Sequence, residues 1–193
     1  MSHKRKGSAI YEHLQVGKRP VETPSELVYV STLAKNRQQL AGAFMQEQLI
    51  FESASLTVVD SGGASGGWVS EKILTPPSRY VGLAGFLEVE VESVGAGIAS
   101  DGDVYFGVGS AAATAGSLSG TSVDLVVVNT VSLTAGAGGP QAVVGPLIPK
   151  YVDITSTPDI YFSVGVADAD ISADAAVTFN ATVRLFLLDL AGA

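Results

Sequence analysis

Three short stretches of this 193-residue chain carry residue types that could do chemistry. The first is "GASGG" at 63–67, a formal match to G-x-S-x-G with Ser65 as nucleophile. Such a serine needs a strand–turn–helix elbow and a histidine downstream to take its proton. The two histidines, His3 and His13, both precede it, and "GWVSEKIL" after it reads as a strand, so acyl transfer is disfavoured. The second is "DADISAD", which sets Asp168, Asp170, Ser172 and Asp174 at alternate positions like the start of a calcium loop. A glycine is missing at the sixth place, and Phe179 stands at the twelfth where a bidentate glutamate belongs. An acidic hairpin tip is the preferred reading, with a weak calcium site at Asp168, Asp170 and Asp174 as the alternative. Asp101 and Asp103 in "SDGDV" read as an ordinary Asp-Gly turn. The third is Glu88, Glu90 and Glu92, three carboxylates on one side of a strand. Paired catalytic acids need a desolvated partner, and none is evident nearby. Solvation, or protection against wrong strand pairing, explains them better.

Two weaker patterns also occur. "GVGSAA" at 107–112 loosely resembles a dinucleotide loop, but no helix follows it. Asn180-Ala-Thr182 is a glycosylation sequon by pattern alone. Trp68, the only tryptophan, enters a strand after a glycine-rich loop and reads as a core or rim anchor. A binding role for it, towards a sugar or a neighbouring subunit, is the second reading. With no cysteine there is neither a disulfide framework nor a thiolate metal site, and no cofactor is implied.

The elements that must carry these residues are strands. From Leu49 the chain alternates apolar and polar residues between clusters of Gly, Pro, Ser and Asp. Strands are expected at 49–59, 68–74, 81–94, 103–109, 122–133, 142–154, 159–167 and 176–190. Within 81–94, Leu87, Val89 and Val91 should face a core while the three glutamates face water. Pro146 and Pro149 mark 142–154 as an edge strand or a crossing segment. The spacing predicts an all-β fold: an antiparallel β-sandwich of about eight strands over 49–193.

One phrase occurs twice, 56 positions apart: "DVYFGVG" at 103–109 and "DIYFSVG" at 159–165. Phe106 and Phe162 should enter the core, with Tyr105 and Tyr161 on the opposite side. Two equivalent strand–turn–strand units, one in each sheet, would produce this. So would chance, because strands draw on a small alphabet. Either way the phrase is scaffold.

Residues 1–48 differ in texture. "STLAKNRQQLAGAFMQEQ" at 31–48 is compatible with one short helix capped by Ser31 or Thr32, with Leu33, Arg37, Leu40 and Phe44 inward. Residues 1–28 are polar, contain Pro20 and Pro24, and read as an extended arm. Charge is divided unevenly. Residues 1–37 hold seven Lys or Arg against three Glu, a net of +4; the rest hold four against sixteen, a net of −12. An acidic body suits nucleic acid poorly. An acidic protein surface is therefore the expected contact of Lys4, Arg5, Lys6, Lys18 and Arg19, with nucleic acid the weaker option. Residues 1–15 lack the apolar core of a signal peptide, and no run is long enough to span a membrane. Ordering about 25 arm residues costs on the order of 25–50 kcal/mol. A fixed shape for this arm would need contacts from outside it, and a neighbouring chain is the expected source.

The Ala/Gly/Val/Ser/Thr-rich body, the absence of cysteine and an arm carrying "HKRK" and "GKRP" together resemble the small jelly-roll proteins of virus particles. These are coat subunits and the decoration, or cement, proteins of tailed phages. The resemblance covers about three quarters of the chain as texture and carries no specific motif. It implies a jelly roll without catalytic activity, in a symmetric homo-oligomer, a trimer being favoured. Its partners would be copies of itself and other capsid proteins, and its place the virion, after synthesis in the host cytoplasm. Lys4, Arg5, Lys6, Tyr11, Lys18, Arg19 and Trp68 would then face neighbouring subunits. A carbohydrate- or receptor-binding sandwich of a phage tail or cell surface is the alternative.

Overall fold

The computed structural model describes residues 31–41, 44–76, 80–145, 150–152 and 159–189. They form ten strands: β1 (Ala34–Ala41), β2 (Phe44–Asp60), β3 (Gly67–Leu74), β4 (Tyr80–Val94), β5 (Asp103–Gly109), β6 (Val126–Ser132), β7 (Gly138–Gly145), β8 (Lys150–Val152), β9 (Ile160–Val166) and β10 (Ala175–Asp189). Among the described residues the only helical turns are two of three residues each, Gly120–Ser122 and Asp168–Asp170.

The strand order, β6-β5-β9-β3-β2-β10-β4-β7, follows from a simple operation. β2 to β5 run outward and the rest of the chain returns along them, pairing β5 with β6, β4 with β7, β3 with β9 and β2 with β10. Rolled up, this long hairpin deals its pairs alternately into two sheets. Sheet A is β6-β5-β9-β3, and sheet B is β2-β10-β4-β7, with β1 added to β2 and β8 to β4. That connectivity is a jelly roll. β2 belongs to both sheets: it pairs with β10 over most of its length, then its last residues, Val59 and Asp60, pair with Trp68 and Gly67. At the far end the sheets nearly meet, where the Asn129 side-chain amide donates to the Gln141 carbonyl at 3.0 Å. β7 and β8 pair with β4 alone, as the prolines of 142–154 lead one to expect of an edge.

The inward faces carry the core. Leu87, Val89 and Val91 are buried and Glu88, Glu90 and Glu92 exposed, so the period of two holds. Four phenylalanines meet at the centre, Phe51 and Phe179 from sheet B and Phe106 and Phe162 from sheet A. Ring centroids lie 5.0 Å apart for Phe51–Phe162 and 5.3 Å for Phe162–Phe179. All four are essentially without exposure. Each such ring contributes about 1.5–3 kcal/mol by burial.

The repeated phrase is indeed scaffold, but its copies do not lie one in each sheet. β5 and β9 are antiparallel neighbours in sheet A, with Val104 opposite Val166, Phe106 opposite Val164 and Val108 opposite Phe162. Both copies therefore share one set of demands. Phe must fill the core, and small residues must alternate with it because the 110–123 segment lies flat on the outer face. A Cβ on Gly165 would stand 2.1 Å from the Gly116 carbonyl oxygen, and one on Gly109 equally close to that of Thr121. Hydrogen bonds fix the segment there: the Ala113 amide donates to Ser70 Oγ at 2.8 Å, and Ser70 Oγ lies 2.9 Å from Ser163 Oγ. Ser110 binds both oxygens of Asp124 through its amide and hydroxyl.

The helix expected over 31–48 is absent. β1 and β2 form a hairpin there, with Ala34 opposite Phe51 and Arg37 opposite Gln48, and β2 runs straight through the 48/49 boundary. The Lys, Arg, Gln and Ala of this stretch favour a helix, but pairing overrides propensity once β2 offers alternating inward residues such as Leu49 and Phe51. Arg37 is exposed, not inward. Ser31 does cap, but it caps a turn: its Oγ accepts from the Leu33 amide at 3.2 Å and donates to Glu71 at 2.7 Å.

Candidate functional site

Sheet B has an outer face that nothing among the described residues covers. Register assembles it: Asn180 lies beside Glu90, Thr182 between Ile50 and Glu88, Arg184 between Gln48 and Phe86, and Phe186 between Gln46 and Ala84. Val144 of β7 sits opposite Phe86. The face thus divides into an acidic half and an apolar half.

The acidic half is concave because the strands bulge. Between the pairs Phe51–Ala181 and Ala54–Phe179, β2 supplies two residues, Glu52 and Ser53, against the single Asn180. Ser53 takes a positive φ of 45° there. Asn180 holds the distortion, accepting from the Ser53 amide at 2.8 Å and donating to Glu92 at 2.7 Å. The Ser53 hydroxyl donates to the same Glu92 oxygen at 3.0 Å. A shallow groove of about 280 Å³ results, lined by Ile50, Glu52, Glu88, Glu90, Pro140, Asn180 and Thr182. Glu52 pairs with Lys35 at its margin, whereas Glu88 and Glu90 have no cationic partner among the described residues. Such a row of exposed carboxylates can neutralise an extended cationic ligand.

The apolar half is a shelf. Val144 is 64% exposed and Phe186 38%, with Phe86 half-buried between them. The Arg184 guanidinium stands 5.3 Å over the Phe86 ring, a cation–π contact. Sequence reasoning missed this shelf. In "VRLFLLDL" both sides of the strand are apolar, so alternation alone cannot say that Val183, Leu185 and Leu187 are buried while Phe186 is not. Glu47, an inward carboxylate of β2, was equally hidden by its type.

The glutamate row and the Asn180–Thr182 pair thus lie on this face, and the other motif residues are placed elsewhere. Ser65 is exposed in the β2–β3 connection, strand–loop–strand in form, and its carbonyl accepts from the Gly116 amide at 2.7 Å. Asp168, Asp170 and Asp174 lie in the β9–β10 connection, where two of them hold backbone. Asp174 accepts from the Asp60 amide at 2.9 Å, and Asp170 from the Asp103 amide at 3.3 Å; Asp168 is exposed. Among the described residues no group of three or more His, Cys, Asp or Glu is arranged to hold a metal ion. Tyr105 is half-buried near Asp103 and Asp170; burial first, then those carboxylates, hold its phenol above the ordinary tyrosine pKa. Trp68 is half-buried on the outer side of sheet A, opposite Gly165 of β9 and beside the exposed Val59. Lys4, Arg5, Lys6, Tyr11, Lys18 and Arg19 lie outside the described residues.

Among the described residues no helix is long and apolar enough to cross a membrane. Comparison of the sequence with protein-family models and with curated proteins yields no match.

Proposed function

We propose that this chain is a non-enzymatic structural subunit of a virus particle, of the capsid decoration or small jelly-roll coat type. It associates with copies of itself, in a symmetric oligomer for which a trimer is favoured, and with other shell proteins. The supporting observation is the uncovered face of sheet B, where an acidic groove adjoins an apolar shelf. Large exposed apolar side chains beside polar ones characterise surfaces that meet another protein. The jelly-roll connectivity fits this reading by analogy only, since one fold serves many functions. The arm is only mildly cationic, which favours an exterior or interlocking role over contact with a packaged genome.

Sedimentation velocity across a concentration series, with electron microscopy of the same samples, tests the assembly reading. A single closed oligomer supports it, and a strict monomer at every concentration contradicts it. Mass spectrometry of gradient-purified particles tests the virion assignment: many copies per particle support it, and absence from particles removes it.

A further inference from the structure

The acidic groove and apolar shelf suggest their own occupant. Residues 1–20, "MSHKRKGSAIYEHLQVGKRP", carry Lys4, Arg5, Lys6, Lys18 and Arg19 against the single Glu12. Between the two basic clusters lie Ile10, Tyr11, Leu14 and Val16. Cationic ends around an apolar middle match a face that presents Glu52, Glu88 and Glu90 beside Phe86, Val144 and Phe186. Where the segment joins the body also bears on this. Ser31 is tied to Ile73 of β3, its amide donating to the Ile73 carbonyl at 3.2 Å, so the arm enters at the β1/β3 side of the sandwich. The groove begins on β2, next to β1, and runs over β10 and β4, and the shelf lies farther on, over β10, β4 and β7. Thirty residues precede Ser31, and such a length reaches about 100 Å when extended. That spans from one jelly roll to the next.

We propose that the outer face of sheet B is the docking surface for residues 1–20 of an adjoining copy. The basic clusters lie along Glu52, Glu88 and Glu90, and the intervening apolar residues rest on Phe86, Val144 and Phe186. This inference rests on the assembly reading above, and it names the surface and the segment that reading leaves open. Specificity comes from matched charge, and the shelf adds burial.

The test uses the full-length chain with a photo-crosslinking amino acid at Tyr11, in a mixture of isotopically heavy and light copies. Inter-chain cross-links from position 11 to peptides of β4, β7 or β10 are expected. Their yield should fall about tenfold in the Glu88→Lys, Glu90→Lys double variant, because facing like charges repel. It should recover when Lys4→Glu, Arg5→Glu and Lys6→Glu are added to the same chain. Far-UV circular dichroism checks that each variant folds, and the milder Glu88→Gln, Glu90→Gln pair, expected to lower the yield a few-fold, serves should the reversal disturb the sheet. Cross-links confined to one chain, cross-links to other surfaces, or none at all overturn the proposal. Sedimentation of the same samples separates the two failures. An oligomer with cross-links elsewhere leaves the assembly reading standing, whereas a strict monomer removes that reading itself.

Discussion

The two sheets treat their outer faces in opposite ways. Sheet A is closed by its own chain: the 110–123 segment lies on it, and Gly109, Ser163 and Gly165 have the small side chains that so close an approach demands. Sheet B keeps long side chains outward, carboxylates at one end and Val144 and Phe186 at the other. A face that the chain covers itself is built from residues that vanish beneath the cover. A face left to another molecule is built from residues that reach out. On the proposed assembly reading, sheet B is the face available to another chain.

The largest expected effect lies between the sheets. Phe162→Ala should destabilise the body by about 3–5 kcal/mol in chemical denaturation, since it removes a ring stacked on Phe51 and Phe179 and leaves a cavity. Both faces depend on that centre, so this substitution sets the scale for the others. On sheet A, Gly165→Ala drives a methyl into the Gly116 carbonyl and should cost about 1–3 kcal/mol, with faster amide exchange across 110–123. Unchanged exchange there would show that the segment is not held by contact with the sheet. Ser70→Ala orphans the Ala113 amide and the Ser163 hydroxyl and should cost about 1–2 kcal/mol by the same assay.

On sheet B the comparison predicts the reverse pattern. Glu88→Gln with Glu90→Gln should change stability by less than about 0.5 kcal/mol, because both side chains are exposed and neither has a hydrogen bond or ion pair among the described residues. A loss as large as that of Gly165→Ala would make the acidic half part of the scaffold. The smallest effect is alkaline. The raised Tyr105 pKa means that its stabilising contribution is complete below the ordinary tyrosine range, near pH 10, and is lost as pH rises through the higher folded-state value. In ultraviolet difference titration Tyr105 should ionise above the ordinary tyrosine range, and Tyr105→Phe should delete that late component.

Much of this fold was legible in residue order, for identifiable reasons. Alternation in "FLEVEVESV" is decided by burial on one side, so Leu87, Val89 and Val91 could be placed inside from type alone. The fate of 31–48 was not legible, because helix-favouring residues pair as β1 and β2 only when β10 and the core exist to receive β2. The pairing of β5 with β9 was hidden for a related reason: a repeat shows that two strands share demands, not that they are neighbours. For the candidate site, the three glutamates were visible but the groove was not. It depends on a bulge at Ser53 and Asn180, and bulges are set by register across strands more than a hundred residues apart. The shelf was hidden because Phe186 and Leu185 are both large and apolar, and only tertiary packing separates exposed from buried.

Hydroxyl-radical footprinting of the full-length protein, compared between its dilute and assembled states, addresses the contrast between the faces most directly. Val144 and Phe186 on sheet B should lose reactivity on assembly, while Val59 at the sheet A margin and Val127 on β6 keep theirs. Protection of Val59 and Val127 instead, with Val144 and Phe186 unchanged, would contradict the assignment of sheet B as the face that meets another chain.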